Sequence, residues 1–241
     1  MKKTVIIKQS AGLGDILFIQ KIAEHYKQLG HRVVWPVVST YSYLKEYLEN
    51  CEYINVESNF DLKNHYNNSH SCHITETDTC IIICTDGCSF GDNGVMRSKY
   101  KLVNLDYSDW VNYIKIKRNT EREEALFKKL NITKNSEYIF INRQFGTPPN
   151  DCAVNIFFKK PDKLPVVELE YIEGVRVFDW MGIIENAKEI HTVDTSFSYI
   201  IAAMKLENVN LYPRLKQNDN EVNLNYCSDF YSKTWKFCSN S

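Results

Sequence analysis

The chain has 241 residues, of which 44% are hydrophobic and 24% charged, the make-up of an ordinary globular protein of one large or two small domains. Lys and Arg number 29 against 30 Asp and Glu, for a formal net charge of -1; a nucleic-acid binder usually carries a basic excess, and this chain has none. No apolar run approaches the ~20 residues of a membrane helix, and the start MKKTVIIKQS lacks the ~7–15 apolar residues of a secretory signal, so a cytoplasmic protein with no transmembrane segment and no nucleic-acid partner is expected.

From the N-terminus, residues 4–8 (TVIIK) read as a short strand and 9–14 (QSAGLG) as a small-residue loop. From 15 to 29 the apolar positions Ile16, Ile19, Ile22, Ala23, Tyr26 and Leu29 recur at helical spacing, and Gly30 supplies a stop. Residues 32–38 (RVVWPVV) form the next strand, with Pro36 arguing for an edge or a bulge. Strand, loop, helix and strand within ~40 residues make a βαβ unit, which implies a parallel sheet with a right-handed crossover. Residues 41–48 suggest a second helix and 52–56 a weak strand. The polar, Asn- and His-rich stretch 58–78 reads as a variable loop, and 79–85 as a buried strand. Residues 115–129 begin basic and pass into a helix, NTEREEALFKKL, with Thr120 as cap and Glu123 three positions on.

After that helix the order restarts. YIFIN (138–142) is a strand followed by the loop RQFGTPPN, and 166–171 is another strand. Asp179 caps a helix, DWMGIIENAK; 190–193 is a strand, 196–205 a helix and 209–212 a strand. The aromatic stretch 226–237 suggests a closing helix. The expected fold class is α/β, with two Rossmann-like halves facing a cleft. Residues 1–117 form the first half, 118–136 a linker helix, 137–225 the second half and 226–241 a closing segment.

The eight cysteines stand at 51, 72, 80, 84, 88, 152, 227 and 238. Without a signal peptide, and with enough chain to build a core, free thiols are expected rather than disulfides. His70, Cys72, His73, Cys80, Cys84 and Cys88 invite comparison with a zinc cluster, but no CxxC pair exists and CIIIC puts Cys80 and Cys84 on one face of a strand. No metal site is expected.

Gly12-Leu13-Gly14 after a strand suggests a dinucleotide loop, yet Leu17 stands where the third glycine belongs, and Val38-Ser39-Thr40 lacks the ribose-binding acid. What remains is a tight loop open to a ligand, with Asp15 at the helix start. Asp15 reads either as a helix-dipole acid or as chemistry at a strand's C-terminal edge. Asp194-Thr195-Ser196 follows an apolar strand and opens a helix; it reads as an anion pocket or as an ordinary N-cap. Arg143, directly after YIFIN, reads as a phosphate fork or as a surface ion pair. Lysines number 22 against 7 arginines, so each arginine stands out where lysine would serve for a solvated charge.

GLGDILFIQKIAEHYKQLGHRVVWPV resembles the opening of GT-B glycosyltransferases similar to glycosyltransferase family 9, the ADP-heptose transferases. Asp194-Thr195-Ser196-Phe197-Ser198-Tyr199 before IIAAM resembles that family's Asp-Thr-Gly-x-x-His ahead of an Ala-rich helix, with Ser196 for the glycine and Tyr199 for the histidine. The resemblance implies a compact GT-B-like fold and a metal-independent enzyme without a cofactor. It would move a sugar from a nucleotide-sugar donor to a glycan or other hydroxyl acceptor. By the same resemblance the first half takes the acceptor and the second the donor, and Asp15 is the general base. Gly12, Gly14, Arg143, Asp194, Thr195 and Ser196 line the donor. The alternative is a catalytically degenerate GT-B-like module that binds a nucleotide or glycan.

Overall fold

A computed structural model describes residues 2–55, 71–88, 94–145, 152–153, 164–212 and 230–238. The chain divides into two compact units, Met1–Lys117 and Arg118–Ser241.

The first unit is built on a five-stranded sheet of order β3-β2-β1-β5-β4. Its strands are β1 (Thr4–Lys8), β2 (Arg32–Val37), β3 (Glu52–Asn55), β4 (His73–Glu76) and β5 (Cys80–Cys84). β1 lies at the centre, parallel to β2 and β5, with Val5 and Ile7 fully buried. β2 is interior rather than at the edge expected from Pro36. The proline falls beyond Ile6↔Val34, the last pair with β1, so its missing N–H breaks no bond there. The helix expected over 15–29 is two: α1 (Leu13–Phe18) and α2 (Gln20–Gln28), parted by non-helical backbone at Ile19. Beside the break, fully buried Gln20 donates to the Ile16 carbonyl at 2.8 Å and to the Tyr53 hydroxyl at 2.9 Å. A single helical turn, α3 (Leu44–Tyr47), leads to β3.

Two further elements of this unit differ from the sequence expectation. Part of the stretch read as loop is β4, antiparallel to β5, with all four residues exposed; 56–70 lie outside the described residues. Helix α4 (Gly94–Leu102) was not expected at all. Its Tyr100 is buried and donates to the Phe18 carbonyl at 2.5 Å, which ties α4 to α1. Cys72 and Cys88 are joined by a disulfide, with Cα atoms 4.7 Å apart, against the expectation of free thiols. Residues 71 and 87 already meet through a Gly87 N–H to Ser71 carbonyl bond of 3.1 Å, which carries the two cysteines together. Among the described residues, Cys51, Cys80, Cys84 and Cys238 are free.

The second unit has a parallel sheet of order β12-β11-β10-β6-β9. The strands are β6 (Ile139–Asn142), β9 (Val166–Glu168), β10 (Glu189–Val193), β11 (Val209–Tyr212) and β12 (Lys236–Phe237), while β7 (Gln144–Phe145) and β8 (Cys152–Ala153) make a small hairpin. Ile139, Ile141 and Val193 are fully buried in its core. The RQFGTPPN loop beyond Phe145 lies outside the described residues.

Helix α5 (Thr120–Lys129), in the stretch read as a linker helix, falls within this unit. Its Leu126 and Phe127 are buried, and buried Glu123 is gripped by Arg118, which also reaches Glu185 at 2.6 Å. Its cap is Asn119, whose side chain accepts the Arg122 N–H at 3.1 Å, one residue before the expected Thr120. Asp179 does not cap its helix either. It sits in a 3-10 turn ahead of α6 (Met181–Glu185), accepting the Arg176 N–H at 2.7 Å and the Arg122 guanidinium at 2.9 Å. α7 (Ser196–Ala203) follows β10. The closing helix is replaced by a turn and β12, because the rings of Tyr231 and Trp235 stack 4.8 Å apart and the chain then pairs with β11; 226–229 lie outside the described residues.

Candidate active site

In the first unit the candidate residues gather at the C-terminal end of β1. Gly12 has φ +80°, a backbone state that L side chains rarely adopt. A Cβ built there would stand 2.6 Å from Asp15 Oδ2, so this position needs glycine for both conformation and space. Gly14 lies half-buried in the first turn of α1, and Asp15 follows it. The Asp15 carboxylate pairs with the Lys99 ammonium of α4. Lys99 also donates to Gln9 Oε1 at 2.7 Å. Gln9 is held in turn: its amide donates to the Ala11 carbonyl at 2.7 Å, and the buried Thr85 hydroxyl donates to its oxygen at 3.1 Å. Burial lowers the Lys99 pKa from the ordinary lysine value, opposed by the charges of Asp15 and Asp86. The result is a carboxylate that reaches solvent, anchored from behind by a cation that does not: the side chains are 34% and 2% exposed. Such a group can accept a proton from a bound hydroxyl.

In the second unit, β6 and β10 run side by side, and their C-terminal ends carry Arg143 and Asp194-Thr195-Ser196. Buried Asn142 ties the two ends, donating to the Thr192 hydroxyl at 3.1 Å and to the Thr195 hydroxyl at 3.4 Å. Thr195 is the N-cap of α7; its Oγ1 accepts the Phe197 N–H at 3.3 Å, and the Ser198 hydroxyl accepts the Thr195 N–H at 3.2 Å. Ser196 opens the helix, half-buried. The Asp194 carboxylate is buried and accepts from the Tyr231 hydroxyl at 2.7 Å, while its N–H donates to the Tyr212 carbonyl at 3.0 Å. Asp194 therefore shapes the loop from inside. Arg143 makes an ion pair with Glu168 at 3.3 Å.

Thr195 is an ordinary cap and Arg143 an ordinary ion pair, and both stand at the C-terminal ends of parallel strands, the edge of α/β sheets that generally faces ligands. Sequence reasoning missed Lys99, Gln9, Asn142 and Tyr231, which carry no motif and are marked only by burial. Among the described residues, no group of three or more His, Cys, Asp and Glu side chains is arranged to hold a metal ion, and no helix is long and apolar enough to cross a membrane. A polar hollow of about 350 Å³, lined by Lys188, Glu189 and Asn210 among others, opens at the opposite, N-terminal ends of β10 and β11.

Among solved structures, a glycosyltransferase family 9 protein from Veillonella parvula matches 98% of this chain over 85% of its own, with a TM-score of 0.58 and 9% identity. The likeness thus extends over nearly the whole chain.

This is the fold of the GT-B glycosyltransferases.

The E. coli ADP-heptose lipopolysaccharide heptosyltransferase II shares it over 98% of this chain and 90% of its own, with a TM-score of 0.53 and 11% identity. TibC of enterotoxigenic E. coli, an iron-containing dodecameric glycosyltransferase, shares it over 100% of this chain and 66% of its own, with a TM-score of 0.53 and 12% identity. No protein-family model and no curated protein sequence matches the chain.

Proposed function

We propose that this GT-B-like protein is a metal-independent glycosyltransferase that moves a sugar from a nucleotide-sugar donor to a glycan or other hydroxyl acceptor. The observation that carries the reading is the solvent-reaching Asp15 carboxylate, set over Gly12 at the end of the central strand and anchored by a buried lysine. In this reading the acceptor hydroxyl gives its proton to Asp15 as its oxygen bonds to the anomeric carbon of the donor. The bond from that carbon to the diphosphate breaks, and its electron pair leaves with the nucleoside diphosphate. The Thr195 and Ser196 hydroxyls and the N-terminus of α7 receive the growing negative charge. Arg143 exchanges Glu168 for the phosphate, at little cost because a partly exposed ion pair contributes little. Asp194 serves by holding the loop through Tyr231. The fold shared with an enzyme named for ADP-heptose supports a nucleotide-sugar donor.

Calorimetry with ADP, UDP and GDP tests donor binding. One of them should bind in the presence of EDTA, and Arg143→Ala should weaken it by about 1.5–3 kcal/mol, the range of a charge-assisted hydrogen bond. Equal binding by wild type and Arg143→Ala, or loss of binding in EDTA, refutes the corresponding part. Asp15→Asn should keep donor affinity and lose about 100- to 10,000-fold in rate. A degenerate binding module is the second reading, favoured by Ser196 and Tyr199 at the positions where the resembling family carries glycine and histidine. It expects diphosphate binding with no sugar transfer.

A further inference from the structure

We infer that Lys99 is the positioning residue of the Asp15 base, an inference that rests on the proposed function. Lysine is almost never fully buried unless paired. Here the whole Lys99 residue is 1% exposed, and its Nζ is spent on two acceptors, Gln9 Oε1 at 2.7 Å and the Asp15 carboxylate. The geometry is asymmetric. The pair hides the cation and presents the anion, so the carboxylate's free edge faces solvent while its anchor does not. Gln9 cannot turn away, because its two amide ends are held by Ala11 and Thr85. Asp15 cannot swing toward the chain without losing Lys99, and the absent side chain of Gly12 leaves room for its other oxygen. A second acid acts on the ammonium by charge: Asp86, at the turn after β5, whose buried Oδ1 has no hydrogen-bond partner. Held between these groups, Lys99 keeps the carboxylate in one orientation, which is what a base needs before substrate arrives.

A kinetic double-mutant cycle tests this, using nucleoside diphosphate release from ADP-, UDP- and GDP-sugars with a panel of saccharide acceptors. Lys99→Met should lower kcat by about 10- to 100-fold, a part of what a general base supplies, with donor KM unchanged. In the Asp15→Asn background the same change should alter kcat by less than about twofold, since coupled residues do not add. Lys99→Arg, which keeps the charge, should recover part of the rate. Should Lys99→Met fail to fold, Lys99→Gln enters the same cycle. Full kcat in Lys99→Met beside a crippled Asp15→Asn overturns the positioning role and leaves the proposed function standing. So does an equal loss in both backgrounds, or failure of both Lys99 variants to fold, each of which marks a purely structural lysine. No transfer by wild type overturns both, whereas full transfer by Asp15→Asn overturns the Asp15 base and with it the positioning role, and leaves the transferase reading standing.

Discussion

Gly12→Ala tests the local geometry of the candidate site without any substrate. Two separate penalties meet at this position. The first is conformational: φ is +80°, and a residue with a Cβ pays about 1–2 kcal/mol there. The second is steric: the new Cβ would stand 2.6 Å from Asp15 Oδ2, so the carboxylate must move and strain its pairing with Lys99. Losing that charge-assisted bond costs about 1.5–3 kcal/mol, for a total of about 2.5–5 kcal/mol. Gly30 supplies the control, because its φ is +83° and nothing lies within 4 Å of its added Cβ. Gly30→Ala should therefore cost only the conformational part. Both glycines lie in the first unit, so one urea-unfolding transition followed by tryptophan fluorescence reports both. In an Asp15→Ala background the cost of Gly12→Ala should fall to the Gly30→Ala value. If Gly12→Ala and Gly30→Ala agree within about 0.5 kcal/mol in the wild-type background, the ordinary scatter of such comparisons, the Asp15 contact is wrong.

Burial pushes the Cys51 thiol up to about 12 from its ordinary 9.0, so the native chain keeps a proton that the unfolded chain releases, and stability falls as pH rises from 9 toward 12. At pH 10 the loss is about 1.4 kcal/mol by linkage; urea melts from pH 8 to 10.5 should show a shallower decline for Cys51→Ala than for wild type. Tyr231→Phe removes the donor that Tyr231 supplies to Asp194 and its 2.6 Å contact with Ser198; unfolding should show a loss of about 1–3 kcal/mol, and diphosphate affinity should drop with it. The Cys72–Cys88 disulfide closes a loop of sequence separation 16, so dithiothreitol should lower stability by about 3 kcal/mol on the loop-entropy account. A Cys72→Ser/Cys88→Ser variant should be insensitive to the reductant, and non-reducing peptide mapping should recover one cross-linked 72–88 pair.

Most strands were legible because their residues are buried on a simple period. TVIIK, YIFIN and 190–193 carry short β-branched or aromatic runs bounded by polar loops, and the structure places β1, β6 and β10 there. What escaped had its signal inverted. The buried side of α4 carries Lys99 and Tyr100, and a lysine in the core counts against a helix in any hydrophobicity reading. β4 shows all four residues to solvent, so alternation had nothing to register. Tyr231 and Trp235 stand four apart, the spacing of a helical face, yet their rings stack across a turn. The loops themselves were visible through Gly12, Asp15 and Asp194-Thr195-Ser196. Their supports were not, because Lys99 lies 84 positions from Asp15 and Tyr231 37 from Asp194. Contacts across such distances leave no local pattern. The Cys72–Cys88 pairing was hidden for a different reason: the start of the chain and the size of the core argued for reduced thiols, and the contact that joins 71 to 87 is invisible in the sequence.

Among the described residues, each five-stranded sheet is completed from one uninterrupted stretch of chain, and neither borrows a strand from across the Lys117–Arg118 junction. A splice at that one peptide bond leaves every strand pairing intact, along with the Asp15–Lys99 pair on one side and the Thr195 cap on the other. Arg118, the first residue beyond the junction, is already committed to Glu123 and Glu185 of its own half. Each half is thus a cassette closed on itself along the chain: the strand ladder, the Asp15–Lys99 pair and the Thr195 cap each depend on residues from one side of that single peptide bond.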